Sequence, residues 1–307
     1  MYRSFRPHLT ALTLFVLLFP ISGQADSVDT LAVQGDPTVG MDTITLSHAT
    51  DVPSAVAELS SKLNEQGFEI PLVLDHLAAA TNVGLTQAPN QVIFARPPHY
   101  LEKQLLRKSI TIGIDLPLKF QVFKQDGKIL LSTNTLGYLI DRHEMRIHDF
   151  VLKLTDKLIG QFGTPDKDNQ GLITVASLQS FDTTVQALQD TISTNPDARI
   201  PLVVDYGERP QKSSASHQGN NPRLPTLIVF GNPKVGTPLM QADARIGIDL
   251  PLEYLVWENQ RKEVQITYNS PHYIAGRINL QGQDERLDAI AKALENIAMA
   301  GAGRGTP

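Results

Sequence analysis

The chain has 307 residues, 27 Lys and Arg against 32 Asp and Glu for a formal net charge of −5, and no cysteine. Phosphate backbones demand concentrated basic side chains, so this balance argues against nucleic acid as a partner. The missing thiols exclude disulfides, thiolate metal sites, a cysteine nucleophile and lipid attachment through cysteine.

Residues 1–25 carry Arg3 and Arg6, an apolar stretch over 9–21, and Gly23-Gln24-Ala25 before Asp26. A basic start, a short apolar core and small residues at the junction predict a cleaved secretory signal. The apolar run is too short and too interrupted to span a membrane comfortably, and no later segment reaches that length. The expectation is therefore an exported, soluble protein, periplasmic or secreted. Residues 26–40 are polar, with Gly and Pro, and read as a disordered leader.

The first repeat is expected over 41–162. Residues 41–46 alternate apolar and polar side chains as a strand does. Val52, Ala55, Val56, Leu59 and Leu63 follow at helical spacing, and Gly67 is placed to end that helix. Residues 70–74 and 91–94 read as strands around the small stretch Leu77-Ala78-Ala79-Ala80. Residues 118–123 and 129–132 predict a hairpin turned by Asp126-Gly127. Helical stretches over 136–142 and 147–158 close the unit. A polar linker over 163–171 leads to a second unit over 172–300 with the same order. Its first helix carries Val185, Leu188 and Ile192, its last covers 287–299, and a polar excursion runs over 210–222. Residues 301–307 are expected to be a disordered tail.

The two units repeat one another. Ile112-Gly113-Ile114-Asp115-Leu116-Pro117-Leu118 recurs as Ile246-Gly247-Ile248-Asp249-Leu250-Pro251-Leu252. Ile70-Pro71-Leu72-Val73-Leu74-Asp75 aligns with Ile200-Pro201-Leu202-Val203-Val204-Asp205, and Asn134, Tyr138 and Arg142 align with Asn269, Tyr273 and Arg277. Two copies are too few for a solenoid. The predicted fold class is α+β: two homologous repeats, each β-α-β-β-β-β-α, with an antiparallel-rich sheet packed on helices.

The stretch Leu227-Ile228-Val229-Phe230-Gly231-Asn232-Pro233-Lys234-Val235-Gly236-Thr237-Pro238-Leu239-Met240-Gln241, followed by the second heptad, closely resembles the module catalogued as domain of unknown function 302. The likeness covers most of both repeats and is more faithful in the second. It implies small α+β domains that tend to dimerise as single modules, here an intramolecular pseudo-dimer in one monomeric chain. It implies no activity. The departures divide between the copies. Repeat 1 keeps the family's segment Asp75-His76-Leu77-Ala78 where repeat 2 has Asp205-Tyr206-Gly207-Glu208. Repeat 2 keeps Gly231-Asn232-Pro233-Lys234 where repeat 1 has Ala95-Arg96-Pro97-Pro98. If the family's site forms across a dimer, one hybrid site survives, joining His76 to Asn232, Lys234 and Met240.

Each candidate also has a plainer role. His76 beside Asp75 suits a general base or a metal ligand, or a histidine that merely packs. The segment 231–238 suits an anion-holding loop, but its prolines remove donors, so a structured turn is the expectation. Asp115 and Asp249 suit acid–base chemistry across a pseudo-twofold, against the plainer role of fixing a turn through backbone N–H groups. Asn269-Ser270-Pro271 reads as a helix cap, with Tyr138 and Tyr273 packed on the helices that follow. His76 with Met240 could ligate copper or haem in principle. No HxH, HExxH or CxxCH motif occurs, and no cofactor or metal is assigned. The leading expectation is a binding module for a small ligand or a periplasmic protein, with its site between the repeats. The alternatives are an enzyme or redox accessory using His76, Lys234 and Asp249, and a structural envelope protein.

Overall fold

The computed structural model describes residues 40–145, 171–207 and 223–305. Repeat 1 runs β1 (Met41–Thr45), α1 (Val52–Glu65), β2 (Glu69–Asp75), α2 (His76–Thr81), β3 (Asn90–Arg96), α3 (His99–Lys108), a 3-10 turn (Ile110–Ile114), β4 (Leu118–Gln125), β5 (Lys128–Asn134) and α4 (Leu136–Arg142). Repeat 2 runs β6 (Leu172–Ala176), α5 (Phe181–Ser193), β7 (Arg199–Asp205), β8 (Thr226–Gly231), α6 (Pro233–Ala242), a 3-10 turn (Ala244–Asp249), β9 (Leu252–Glu258), β10 (Val264–Asn269), α7 (Pro271–Arg277) and α8 (Asp284–Gly301). The expected signal, leader, linker, 210–222 excursion and 147–158 helix lie wholly or almost wholly outside the described residues.

Each repeat forms one five-stranded antiparallel sheet, in the orders β1-β5-β4-β3-β2 and β6-β10-β9-β8-β7. Local signals set the elements. Asp51 caps α1 by accepting from the Ser54 N–H, and Val52, Ala55, Val56, Leu59 and Leu63 are its buried stripe. Asp126 and Gly127 both take positive φ, 50° and 75°, the two-residue turn that lets β4 and β5 pair closely.

Alternation along the central strands builds four layers. Ile93 and Ala95 of β3 pack with α1, whereas Val92 and Phe94 face the other repeat. Ile228 and Phe230 of β8 likewise face the helices of repeat 2, and Leu227 and Val229 join the shared core. The two sheets therefore lie back to back between outer helices, as an intramolecular pseudo-dimer. The repeated Ile-Gly-Ile turns press into this interface. A Cβ on Gly113 would stand 2.9 Å from Leu255 Cδ1, and one on Gly247 2.6 Å from Gln121 Nε2. A side chain at either glycine would have to displace those side-chain ends.

The structure adds helices that the sequence pattern does not announce. Leu77-Ala78-Ala79-Ala80 belongs to α2, capped by Asp75 through the Ala78 N–H. The segment expected as a structured turn begins α6: Asn232 is its cap, Pro233 stands in its first turn, and Pro238 lies inside it. Proline suits that first turn, where its missing N–H has no helical acceptor. The end of repeat 2 also differs from a frayed tail, since Ala302 is fully buried and Leu178 donates to its carbonyl. Among the described residues no helix is long and apolar enough to cross a membrane.

Candidate functional site

The candidate residues fall into two places, a polar centre on the pseudo-twofold and a cavity beside it. At the centre Arg142 donates to both Asp115 oxygens at 3.0 and 2.9 Å and reaches across to Asn269 Oδ1. Arg277 does the same in mirror fashion, at 3.0 and 2.9 Å to Asp249 and 2.6 Å to Asn134 Oδ1. Its guanidinium stands 4.3 Å over the Tyr138 ring, and that of Arg142 5.3 Å over Tyr273. Between these two clusters Lys119 Nζ meets Glu253 Oε1 at 2.5 Å, with both side chains buried. These two residues occupy equivalent positions, each directly after its heptad.

Burial and pairing compete at every charge here. Burial would raise the Asp115 carboxyl, but Arg142 and His143 outweigh it and hold it below the usual carboxylate range. Burial pushes Glu253 up to about 7 in spite of Lys119. Lys119 is also buried, but Glu253, Asp249 and Asp115 hold its ammonium charged. Asp115 and Asp249 are thus spent on fixing the arginine of their own repeat, and Asn269 on receiving the arginine of the other. Cutting one partner from such a buried pair costs about 3–5 kcal/mol, because a lone charge stays behind. Arg277→Met should therefore lower unfolding stability by an amount of that order in a urea titration, far more than an exposed Lys292→Met.

His76 opens α2 and lies against the other repeat. Its Nε2 is 3.1 Å from the Gly247 carbonyl, so it carries the hydrogen and donates, leaving Nδ1 as an acceptor. Burial lowers its pKa to about 4, against the raising effects of Gly247, Asp75 and Leu250, so the ring is neutral at neutral pH. Asp75 is occupied by the Ala78 N–H at 2.9 Å and by Gln91 Nε2 at 2.8 Å. His76 forms part of the wall of a cavity of about 660 Å³ between sheet 2 and helices α5, α6 and α8. Asn232, Thr237 and Met240 line the same cavity, with apolar walls from Phe230, Ile246, Ile290 and Leu294. The structure thus brings His76, Asn232 and Met240 together. It turns Lys234 outward to Asp197, at 2.8 Å in an exposed pair, and Asp249 inward to Arg277.

The equivalent positions on the other side carry different side chains. Tyr206 stands where repeat 1 has His76, and its one hydroxyl hydrogen is shared between the carbonyls of Gly113, at 2.8 Å, and Leu116. Its buried ring lies 5.6 Å from the Arg96 guanidinium. Arg96, the counterpart of Asn232, forms a buried bidentate pair with Glu102 at 2.9 and 2.8 Å. Among the described residues no group of three or more His, Asp or Glu could hold a metal.

The sequence profile described as Domain of unknown function DUF302 matches residues 43–161 and 173–299. Over 255 residues the chain is 32% identical to the protein named Fluoride-specific ion channel FluC 2 of Brucella melitensis biotype 1, covering 77% of this chain and 88% of that protein. It is also 32% identical over 139 residues to Fluoride-specific ion channel FluC 1 of Brucella suis biovar 1, covering 44% of this chain and 51%, about half, of that relative. Among solved structures, the uncharacterized conserved protein DUF302 from Bacillus stearothermophilus is similar, with a TM-score of 0.34 and 17% identity over 44% of this chain and 97% of that one.

Proposed function

Since the chain belongs to the family described as domain of unknown function DUF302, in tandem, we propose that it binds one small, mainly apolar ligand in the cavity shared by His76 and α6. The observation that carries this reading is the make-up of the cavity wall. An imidazole and an asparagine cap stand in an otherwise mostly apolar wall around open space. A concave, mostly apolar pocket with a few placed polar groups is the ordinary form of a small-molecule site. Acid–base catalysis needs titratable groups that converge, and Lys234 and Asp249 are engaged elsewhere. Fluoride, named for the Brucella relatives, suits this cavity poorly. Its one cationic lining residue, Arg199, donates to the carbonyls of Pro196 and Ala198, and an unpaired anion in an apolar space is costly. The predicted export signal would place this binding outside the cytoplasm.

Titration with the neutral fluorophore N-phenyl-1-naphthylamine tests the reading. His76→Tyr, which puts a larger ring in the cavity wall, and Ile290→Trp, which fills the cavity from α8, should each weaken binding about tenfold or more, the equivalent of about 1.4 kcal/mol. Unchanged affinity in both variants would sink the proposal.

A further inference from the structure

Resting on that reading, we infer the ligand's class: an uncharged amphiphile, an aliphatic body with one hydroxyl or carbonyl head, gripped at its head by Thr237. The hydroxyl of Thr237 is the guide. Threonines within helices commonly return their hydroxyl to the carbonyl four residues earlier. Thr81, Thr184 and Thr191 do so here, to Leu77, Ser180 and Ala187 at 2.9, 2.8 and 2.7 Å. Thr237 does not. Its side chain is 1% exposed, lines the cavity, and its Oγ1 has no hydrogen-bond partner among the described residues. A buried hydroxyl left unpaired is destabilising, and a ligand head entering the cavity can relieve that cost.

The rest of the wall fixes the head's charge. No Asp, Glu or Lys lines the cavity, and Arg199 is turned to backbone carbonyls. His76 spends its one N–H on Gly247 and offers a cavity ligand no positive charge. A carboxylate or phosphate head would therefore enter without a counterion, which favours alcohols, esters and ketones over fatty-acid anions.

The test uses the full chain and displacement of N-phenyl-1-naphthylamine by decan-1-ol, decane and decanoate at about pH 7.5, where decanoate is ionised. Decan-1-ol should bind at least about tenfold more tightly than decanoate, given the cost of an unpaired ion. Thr237→Val, nearly the same shape without the hydroxyl, should weaken decan-1-ol about three- to tenfold and leave decane unchanged. Decanoate binding as well as decan-1-ol, or no effect of Thr237→Val on the alcohol, would overturn the ligand class while probe binding still upheld the cavity. Probe affinity that His76→Tyr and Ile290→Trp leave intact would instead remove the cavity reading and this inference with it.

Discussion

Lys119→Glu should destabilise the protein by about 3–5 kcal/mol, and adding Glu253→Lys should restore most of that loss. The single change sets two carboxylates face to face where the side chains are only 2% and 0% exposed. Neither can reach water, and Asp115 and Asp249 already stand close enough to raise Glu253 further. The double change exchanges the two partners across a pseudo-twofold, so the same pair forms in the opposite sense. Only the contact from Asn269 Nδ2 to Glu253 Oε2, at 3.4 Å, loses its acceptor, and that is a long hydrogen bond. Urea unfolding of the two single variants and the double gives the coupling directly. A double variant no more stable than Lys119→Glu would refute the symmetry argument.

The second large effect appears only when two opposed titrations are separated. His76 has a folded pKa of about 4 against an ordinary 6.5, so the unfolded chain takes up that proton first. Stability is lost through His76 as pH falls from about 6.5 towards 4. Glu253 has a folded pKa of about 7 against an ordinary 4.5, so the folded chain takes up that proton first. Stability is gained through Glu253 as pH falls from about 7 towards 4.5. Each group changes stability by about 1.4 kcal/mol per pH unit within its window, so the two nearly cancel between about pH 6.5 and 4.5. Asp115, held below the carboxylate range, loses its contribution only at lower pH. Glu253→Gln should therefore lose roughly 2–3 kcal/mol, relative to wild type, on going from pH 6.5 to 4.5. His76→Tyr should gain a similar amount over the same interval. Denaturant midpoints at the two pH values decide it, and parallel pH profiles for all three proteins would show that neither group titrates as described.

Much of this architecture can be read in the sequence because the interface uses the same residues twice. Each Ile-Gly-Ile turn abuts the opposite repeat, where a Cβ would press on a side chain of that repeat. Asn134, Tyr138 and Arg142, which align with Asn269, Tyr273 and Arg277, prove to be parts of the crossed arginine clusters. Lys119 and Glu253 escape such a reading because opposite charges on a strand look like a solvated face. Their signal is subtler: they fall at one register position of both copies. Helix α6 escapes because two glycines and two prolines within 231–238 weigh against a helix, and tertiary packing overrides that preference. The hybrid placement of His76 follows from comparing what each copy kept. The cavity's volume and the unpaired Thr237 hydroxyl depend on three-dimensional packing and leave no mark in the residue pattern.

The Lys119–Glu253 pair also separates this chain from a dimer of identical modules. On a true twofold axis a residue faces its own copy, so two free modules could offer only lysine to lysine or glutamate to glutamate there. Unlike partners at that point require the two halves to be encoded separately, as they are in this chain, and no identical pair of modules could supply them. A tether keeps its two ends at an effective concentration on the order of millimolar, which relieves each half of finding a twin in dilute solution. Once joined, the copies could diverge, one keeping His76 and the other taking Tyr206 at the same position. Neither half can now resume the life of a symmetric dimer without reversing a buried charge.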